Sequence, residues 1–209
     1  MIDSIPRGKD TLIALVDSGE LTEEQAAVIH IVTNCSGWSL HDHSDELRKF
    51  LSRGVNNPAT LLDAHVSTCG LFGLAVWHEV HVQHKLVKAP YVTGMAIAWL
   101  DTIARDLGAI RHPAKDGPPK PGALMHYYNA GDNDDHVEFC LSDVTELHGT
   151  LWLAHHGGGG RADCGIGIGH SDIKWSSGRP LQAWFDLEAL IDNLQVALAQ
   201  ADERLERDG

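Results

Sequence analysis

The sequence predicts an α+β domain. Three observations point there: a helical apolar period through the first half, a change to strand-like period after a proline-rich stretch, and a closing helical run. Helices gathered ahead of the strands, rather than alternating with them, favour an antiparallel sheet packed on helices over βαβ units. The chain has 209 residues, enough to bury a substantial core within one domain. The expected organisation is an N-terminal helical lobe over residues 1–57 and a second unit over 58–209, the two forming one compact body.

The first helical pattern carries Leu12, Ile13, Leu15 and Val16. The next begins at Leu21-Thr22-Glu23-Glu24, with Thr22 as N-cap and carboxylates in the first turn. A third starts at His43-Ser44-Asp45, and Asn56-Asn57-Pro58 ends the lobe. A short segment over 59–65 then delivers the chain to the stretch around which the rest is organised, Val66-Ser67-Thr68-Cys69-Gly70-Leu71-Phe72-Gly73-Leu74-Ala75-Val76-Trp77. Small hydroxyl residues followed by apolar residues at helical spacing predict a capped, buried helix running to His81 or His84. Another helix is expected over 93–107, and a loop over 111–122, where Pro113, Pro118, Pro119 and Pro121 fall. Strands are expected at 123–128, 136–144, 150–156, 165–169 and 182–185, the second and third joined through 145–149 as an antiparallel hairpin. From Asp186 the pattern is a long amphipathic helix.

Composition narrows the function classes. A formal charge of -13 opposes a nucleic-acid partner, because a phosphate backbone would be repelled. Protonating the 14 histidines would nearly cancel that charge, so the surface field should depend strongly on pH. No apolar run approaches a membrane span, and residues 1–10 lack a signal-peptide core, so the expectation is a chain cytoplasmic as synthesised. The four cysteines, Cys35, Cys69, Cys140 and Cys164, are too few and too scattered for a disulfide framework and form no CxxC pair. A reduced compartment with at most one functional thiol is expected, with no metal and no cofactor.

That thiol is Cys69. In the first turn of a helix, unpaired N–H groups and the positive end of the dipole favour a thiolate and can also hold an oxyanion. A cysteine nucleophile needs a base, and the base needs a third group to orient it. In Asn133-Asp134-Asp135-His136-Val137-Glu138-Phe139-Cys140-Leu141, His136 opens a strand just after a polar turn and is the candidate base. The third group is expected at the end of the following strand, in His155-His156-Gly157-Gly158, with His156 preferred to His155 because it abuts the glycine run. Only one of the two can face His136, since neighbouring side chains on a strand alternate. Cys140 shares a face with His136 by the same alternation, either lining the cleft or packed in the core. Residues 157–160, all glycine, read as a mobile loop that could flex over the cleft.

A cysteine at a helix start, Lys120-Pro121-Gly122-Ala123-Leu124-Met125 before a strand, Asp135-His136-Val137 opening the next and a strand ending in histidine together resemble the NlpC-type, papain-like cysteine peptidases of cell-wall hydrolysis. The resemblance covers residues 69–164 and lies in the order of the pieces. It implies a papain-like fold with the sheet packed against the nucleophile helix, a thiolate at Cys69, a general base at His136 and a third polar residue at His156 or His155. It also implies an amidase or peptidase acting on peptidoglycan stem peptides or a related amide, with Thr68, Gly70, Gly157 and Gly158 near the substrate. The family's usual aspartate before and serine after the nucleophile are here Thr68 and Gly70, and the aspartate of its Pro-Gly-Asp element is Ala123. A cell-wall substrate would require release by lysis, carriage by a phage or delivery by a secretion machine. Two other classes compete: a catalytically inactive, immunity-like binding protein of the same fold, and a metal-binding protein using His78, His81 and His84 or His41 and His43.

Overall fold

A computed structural model of the chain describes residues 9–39, 41–54, 68–80, 111–130, 134–160 and 165–186. Three helices come first: α1 (Lys9–Asp17), α2 (Glu23–Cys35) and α3 (Ser44–Leu51). The start of α2 has Thr22 as the N-cap expected from its sequence, and Gln25 completes a capping box. The Thr22 hydroxyl accepts from the Gln25 N–H at 3.3 Å, and the Gln25 side chain accepts from the Thr22 N–H at 3.0 Å.

Helix α4 (Thr68–Val80) is buried on every side from Thr68 to His78, which is why its sequence is apolar all round rather than striped. On one side it meets the N-terminal helices, where the Phe72 and Phe50 rings lie 5.7 Å apart. On the other it meets the sheet, with Phe72 edge-on to Phe139 at 6.4 Å and Trp77 edge-on to Phe185 at 6.0 Å. One continuous core therefore runs from Leu12 through α4 to Phe185, joining the helical lobe to the strands.

The strands are β1 (Arg111–Pro113), β2 (Leu124–Asn129), β3 (Asp134–Cys140), β4 (Thr145–Leu147), β5 (Leu151–Gly159), β6 (Ile166–Asp172), β7 (Trp175–Ser176) and β8 (Arg179–Phe185). They form an antiparallel sheet in the order β1-β8-β2-β3-β5-β4, with β6 added to β5 and β7 to β8. Alternation sends Leu124, Val137, Phe139 and Phe185 to the helices. It sends Met125, Tyr127, Cys140, Ala154 and Trp184 to a second, smaller core on the opposite face. The sheet curls around that second core. The Tyr127 hydroxyl donates to the Ile173 carbonyl at 3.0 Å, and the Leu181 N–H to the Lys174 carbonyl at 2.8 Å, so the segment after β6 closes onto β8.

The expected order of helices before strands is present, and the strands of His136 and His156 pair antiparallel as expected, although the hairpin itself joins β4 to β5. Three details differ. The expected loop over 111–122 contains β1, which gains a partner in β8, and a 3-10 turn at Ala114–Asp116. The connection over 145–149 contains β4 and a tight turn in which His148 and Gly149 both have positive φ, 55° and 68°. The glycine run is not a loop, since β5 continues through Gly159 and pairs with β6. The helix expected over 93–107, the closing helix, and the extension of α4 to His81 or His84 lie outside the described residues.

Gly54 sits where a Cβ would meet the Leu74 Cβ at 2.8 Å and the Ala75 nitrogen at 2.9 Å, so the chain after α3 lies directly on α4. Gly54→Ala is expected to cost about 1–3 kcal/mol of stability through overpacking, read as a lower urea midpoint at unchanged m-value.

Candidate functional site

Cys69 is the second residue of α4 and is 3% exposed. Its side chain is a hydrogen-bond partner of His136, which lies two residues into the paired region of β3. The other partner of His136 is Glu138, from the same face of the same strand: His136 Nε2 and Glu138 Oε1 are 2.8 Å apart. This leaves Nδ1 of the ring for the thiol. Residues two apart on a strand share a face, so the geometry of β3 alone brings the imidazole and the carboxylate together.

Glu138 is the hub. Its second oxygen, Oε2, lies 2.8 Å from His156 Nδ1, and His156 Nε2 lies 2.9 Å from Ser171 Oγ on the neighbouring β6. The Ser176 hydroxyl donates to Oε1 at 3.1 Å, bringing in β7. A half-buried carboxylate with both oxygens occupied by imidazoles and a hydroxyl is charge-assisted at every contact. Burial alone would raise the Glu138 carboxyl, but the hydrogen bonds to His136 and His156 and the positive charges of both rings outweigh it and hold the group far below the usual carboxylate range. For His136, burial opposes protonation. The hydrogen bonds to Cys69 and Glu138 and their negative charges overcome it, raising the ring to about 9.

The residues expected from the sequence thus divide. Cys69 and His136 are together. His156 joins the cluster, but through Glu138 rather than by orienting His136 itself; that position belongs to Glu138. His155 points to the other side of the sheet, 4% exposed, with its ring 4.6 Å from that of His170. Burial and the nearby charges of His170 and His156 depress its protonation. Cys140 is fully buried in the second core, where burial pushes its thiol up to about 12, so it does not line a cleft.

A cavity of about 500 Å³ opens beside the cluster, lined by His136, Glu138, His156 and the glycines of β5 and β6. Gly157 and Gly158 form part of its wall. Thr68 and Gly70 do not: both are buried in the first turn of α4, and the Thr68 hydroxyl donates to the Gly160 carbonyl at 2.9 Å. Cys69 is not on the wall either, and meets the cavity through His136. A Cβ at Gly157 or Gly159 would come within 2.9 or 2.7 Å of a neighbouring atom, which explains glycine at those two strand positions, and at Gly158 it would make a tight contact at 3.2 Å. The Gly159 contact is with Thr68, so the first turn of α4 is pressed onto β5.

Among the described residues no group of three histidine, cysteine or acidic side chains is placed to hold a metal ion. His41 pairs with Asp42 at 2.7 Å, His43 begins α3 against Trp38, and His78 is buried in α4, while His81 and His84 lie outside the described residues. Among the described residues no helix is long and apolar enough to cross a membrane. No family model, no curated protein and no solved structure matches this chain.

The pKa directions fix a pH window. Glu138 lies below its unfolded value, so its contribution to stability is complete above roughly pH 4.3 and is lost as pH falls further. His136 lies above its unfolded value, so its contribution is complete below roughly pH 6.5 and is lost as pH rises through about 9. Glu138→Gln should cost about 3 kcal/mol, the deficit in urea midpoint being largest between roughly pH 5 and 6.5 and shrinking on either side.

Proposed function

We propose that the protein is a thiol-dependent amide hydrolase, with Cys69 as nucleophile, His136 as general base and acid, and Glu138 as the group that orients and charges His136. The observation that carries this reading is a half-buried imidazole whose two side-chain partners are a helix-start cysteine and a carboxylate. In the cycle, the Cys69 proton passes to His136 and the sulfur attacks an amide carbonyl carbon. The oxyanion is stabilised by N–H groups at the start of α4. His136 returns its proton to the nitrogen as the C–N bond breaks, leaving a thioester on Cys69. Water attacks the thioester, giving its proton to His136, and the carboxylic acid leaves with the thiol restored.

The substrate class in this proposal is a peptide amide, with the stem peptides of peptidoglycan foremost because of the resemblance carried by residues 69–164. A papain-like fold belongs to the same proposal, supported by the helix-start cysteine lying against an antiparallel sheet that supplies the histidine. One observation favours a second reading, a non-catalytic binding protein: Cys69 is 3% exposed and is not on the wall of the cavity.

Alkylation by iodoacetamide and product analysis by mass spectrometry separate the two. Under the hydrolase reading, purified peptidoglycan or γ- and α-linked peptides yield cleaved products that Cys69→Ala does not produce. His136→Ala and Glu138→Gln should lower turnover by roughly 10²-fold or more, and both should slow alkylation of Cys69 at neutral pH. His156→Ala should cost less than Glu138→Gln, because it removes one of several contacts to the carboxylate. Equal alkylation rates in wild type and His136→Ala would end the hydrolase reading.

A further inference from the structure

Glu138 engages two histidines, and one of them is bonded to Cys69. The other leads to a hydroxyl: His156 Nδ1 lies 2.8 Å from Glu138 Oε2, and His156 Nε2 lies 2.9 Å from Ser171 Oγ. Serine, imidazole and carboxylate therefore stand in line, each within hydrogen-bond reach of the next. That is the relation a nucleophile, its base and the base's orienting group require. The tautomer follows from the carboxylate. Glu138 is held far below the usual carboxylate range, so at neutral pH it is ionised and can only accept. A neutral His156 ring must then carry its proton on Nδ1, which leaves the Nε2 lone pair to accept from the Ser171 hydroxyl.

Strand register produces this line. In the β5–β6 pair His156 stands opposite Gly169 and Ala154 opposite Ser171, so Ser171 is the diagonal neighbour of His156 on the same face. The ring reaches it by lying across position 169. A Cβ at Gly169 would come within 2.9 Å of His156 Nε2 and 3.1 Å of Cε1, so a side chain there would push the ring off Ser171. The two arms of Glu138 also differ in access. Cys69 is 3% exposed and off the cavity wall, whereas Ser171 is exposed and its partner His156 lines the cavity.

We propose that Ser171, His156 and Glu138 form a second nucleophilic centre, which takes an acyl group from a carboxylic ester. The Ser171 oxygen attacks the ester carbonyl carbon as its proton passes to His156 Nε2. His156 gives that proton to the departing alkoxide oxygen as the C–O bond breaks, leaving the acyl group esterified to Ser171. Water then attacks the acyl-serine, its proton passing through His156 to the Ser171 oxygen, and the carboxylic acid leaves. Glu138 stays ionised throughout and holds the ring. None of these steps uses the Cys69 thiol, so the centre goes beyond the amide hydrolase reading and does not rest on it.

The experiment uses Cys69→Ala, which removes the competing thiol. The protein is incubated with an alkyl fluorophosphonate, which loses fluoride when a serine oxygen attacks its phosphorus, and the modified residue is located by mass spectrometry. Ser171 is expected to be phosphonylated, and roughly tenfold or more slowly once His156→Ala is added. Gly169→Ala should also slow labelling; it keeps all three groups, and its clash is with the end of a side chain rather than with backbone. The same Cys69→Ala protein should hydrolyse p-nitrophenyl acetate, and adding Ser171→Ala, at an exposed position, should remove that activity. The proposal is overturned if Ser171 is not labelled, if either added variant is labelled as fast as its parent, or if Ser171→Ala leaves ester hydrolysis unchanged. Peptide cleavage by wild type, read separately, decides the role of Cys69, so failure of one reading is distinguishable from failure of the other.

Discussion

The arrangement depends on one half-buried carboxylate. Glu138 sits on the concave face of the sheet with its two oxygens engaged by His136, His156 and Ser176, so groups from β3, β5 and β7 converge on a single charge. A carboxylate out of water without partners would be costly enough to be protonated instead. Here the partners reverse the balance, and the carboxylate in turn, together with Cys69, offsets the desolvation of the His136 ring and favours its protonated form. The imidazole beside Cys69 is thus held in place by the curl of a sheet that brings three strands within reach of one side chain.

That curl and the burial of α4 are two aspects of the same packing. The helix presents aromatic residues both to the N-terminal helices and to the sheet, and glycines are used where backbones must approach it: Gly54 against Leu74 on one side, Gly159 against Thr68 on the other. The first turn is the part most tightly held, with the Thr68 hydroxyl also bonded to the Gly160 carbonyl. The nucleophile candidate accordingly stands on a tightly packed helix start, while the cavity wall beside it mixes glycines with the side chains of His136, Glu138 and His156.

Much of this was legible in the sequence, for reasons that also explain the rest. Thr22 with the acidic turn after it, the buried run from Thr68 to His78, and the change of period after Gly122 are local signals, and each produced the element expected of it. Cys69 and His136 could be picked out because a helix start and a polar turn before a strand mark positions where side chains can act. Glu138 could not be picked out the same way, since a glutamate within a strand normally signals a solvent face. The available clue was its company. Val137, Phe139 and Cys140 imply a strand buried on both faces, and a carboxylate two residues from a histidine on such a strand must be paired with something. The glycine run was misread because composition alone suggests mobility, whereas its cause is close contact with Val137, Thr68 and Gly167 from three directions, which only the tertiary structure supplies.

The most direct test of this account is the titration of the His136 ring, followed by NMR on histidine-labelled protein in wild type and in Glu138→Gln. The ring is expected to stay protonated in wild type until about pH 9, and in Glu138→Gln to lose its proton at lower pH, with Cys69 alone left to oppose the desolvation. A wild-type ring that titrates near the ordinary value of about 6.5, or one whose titration is unchanged by the loss of the Glu138 charge, would contradict the claim that the half-buried carboxylate governs the site.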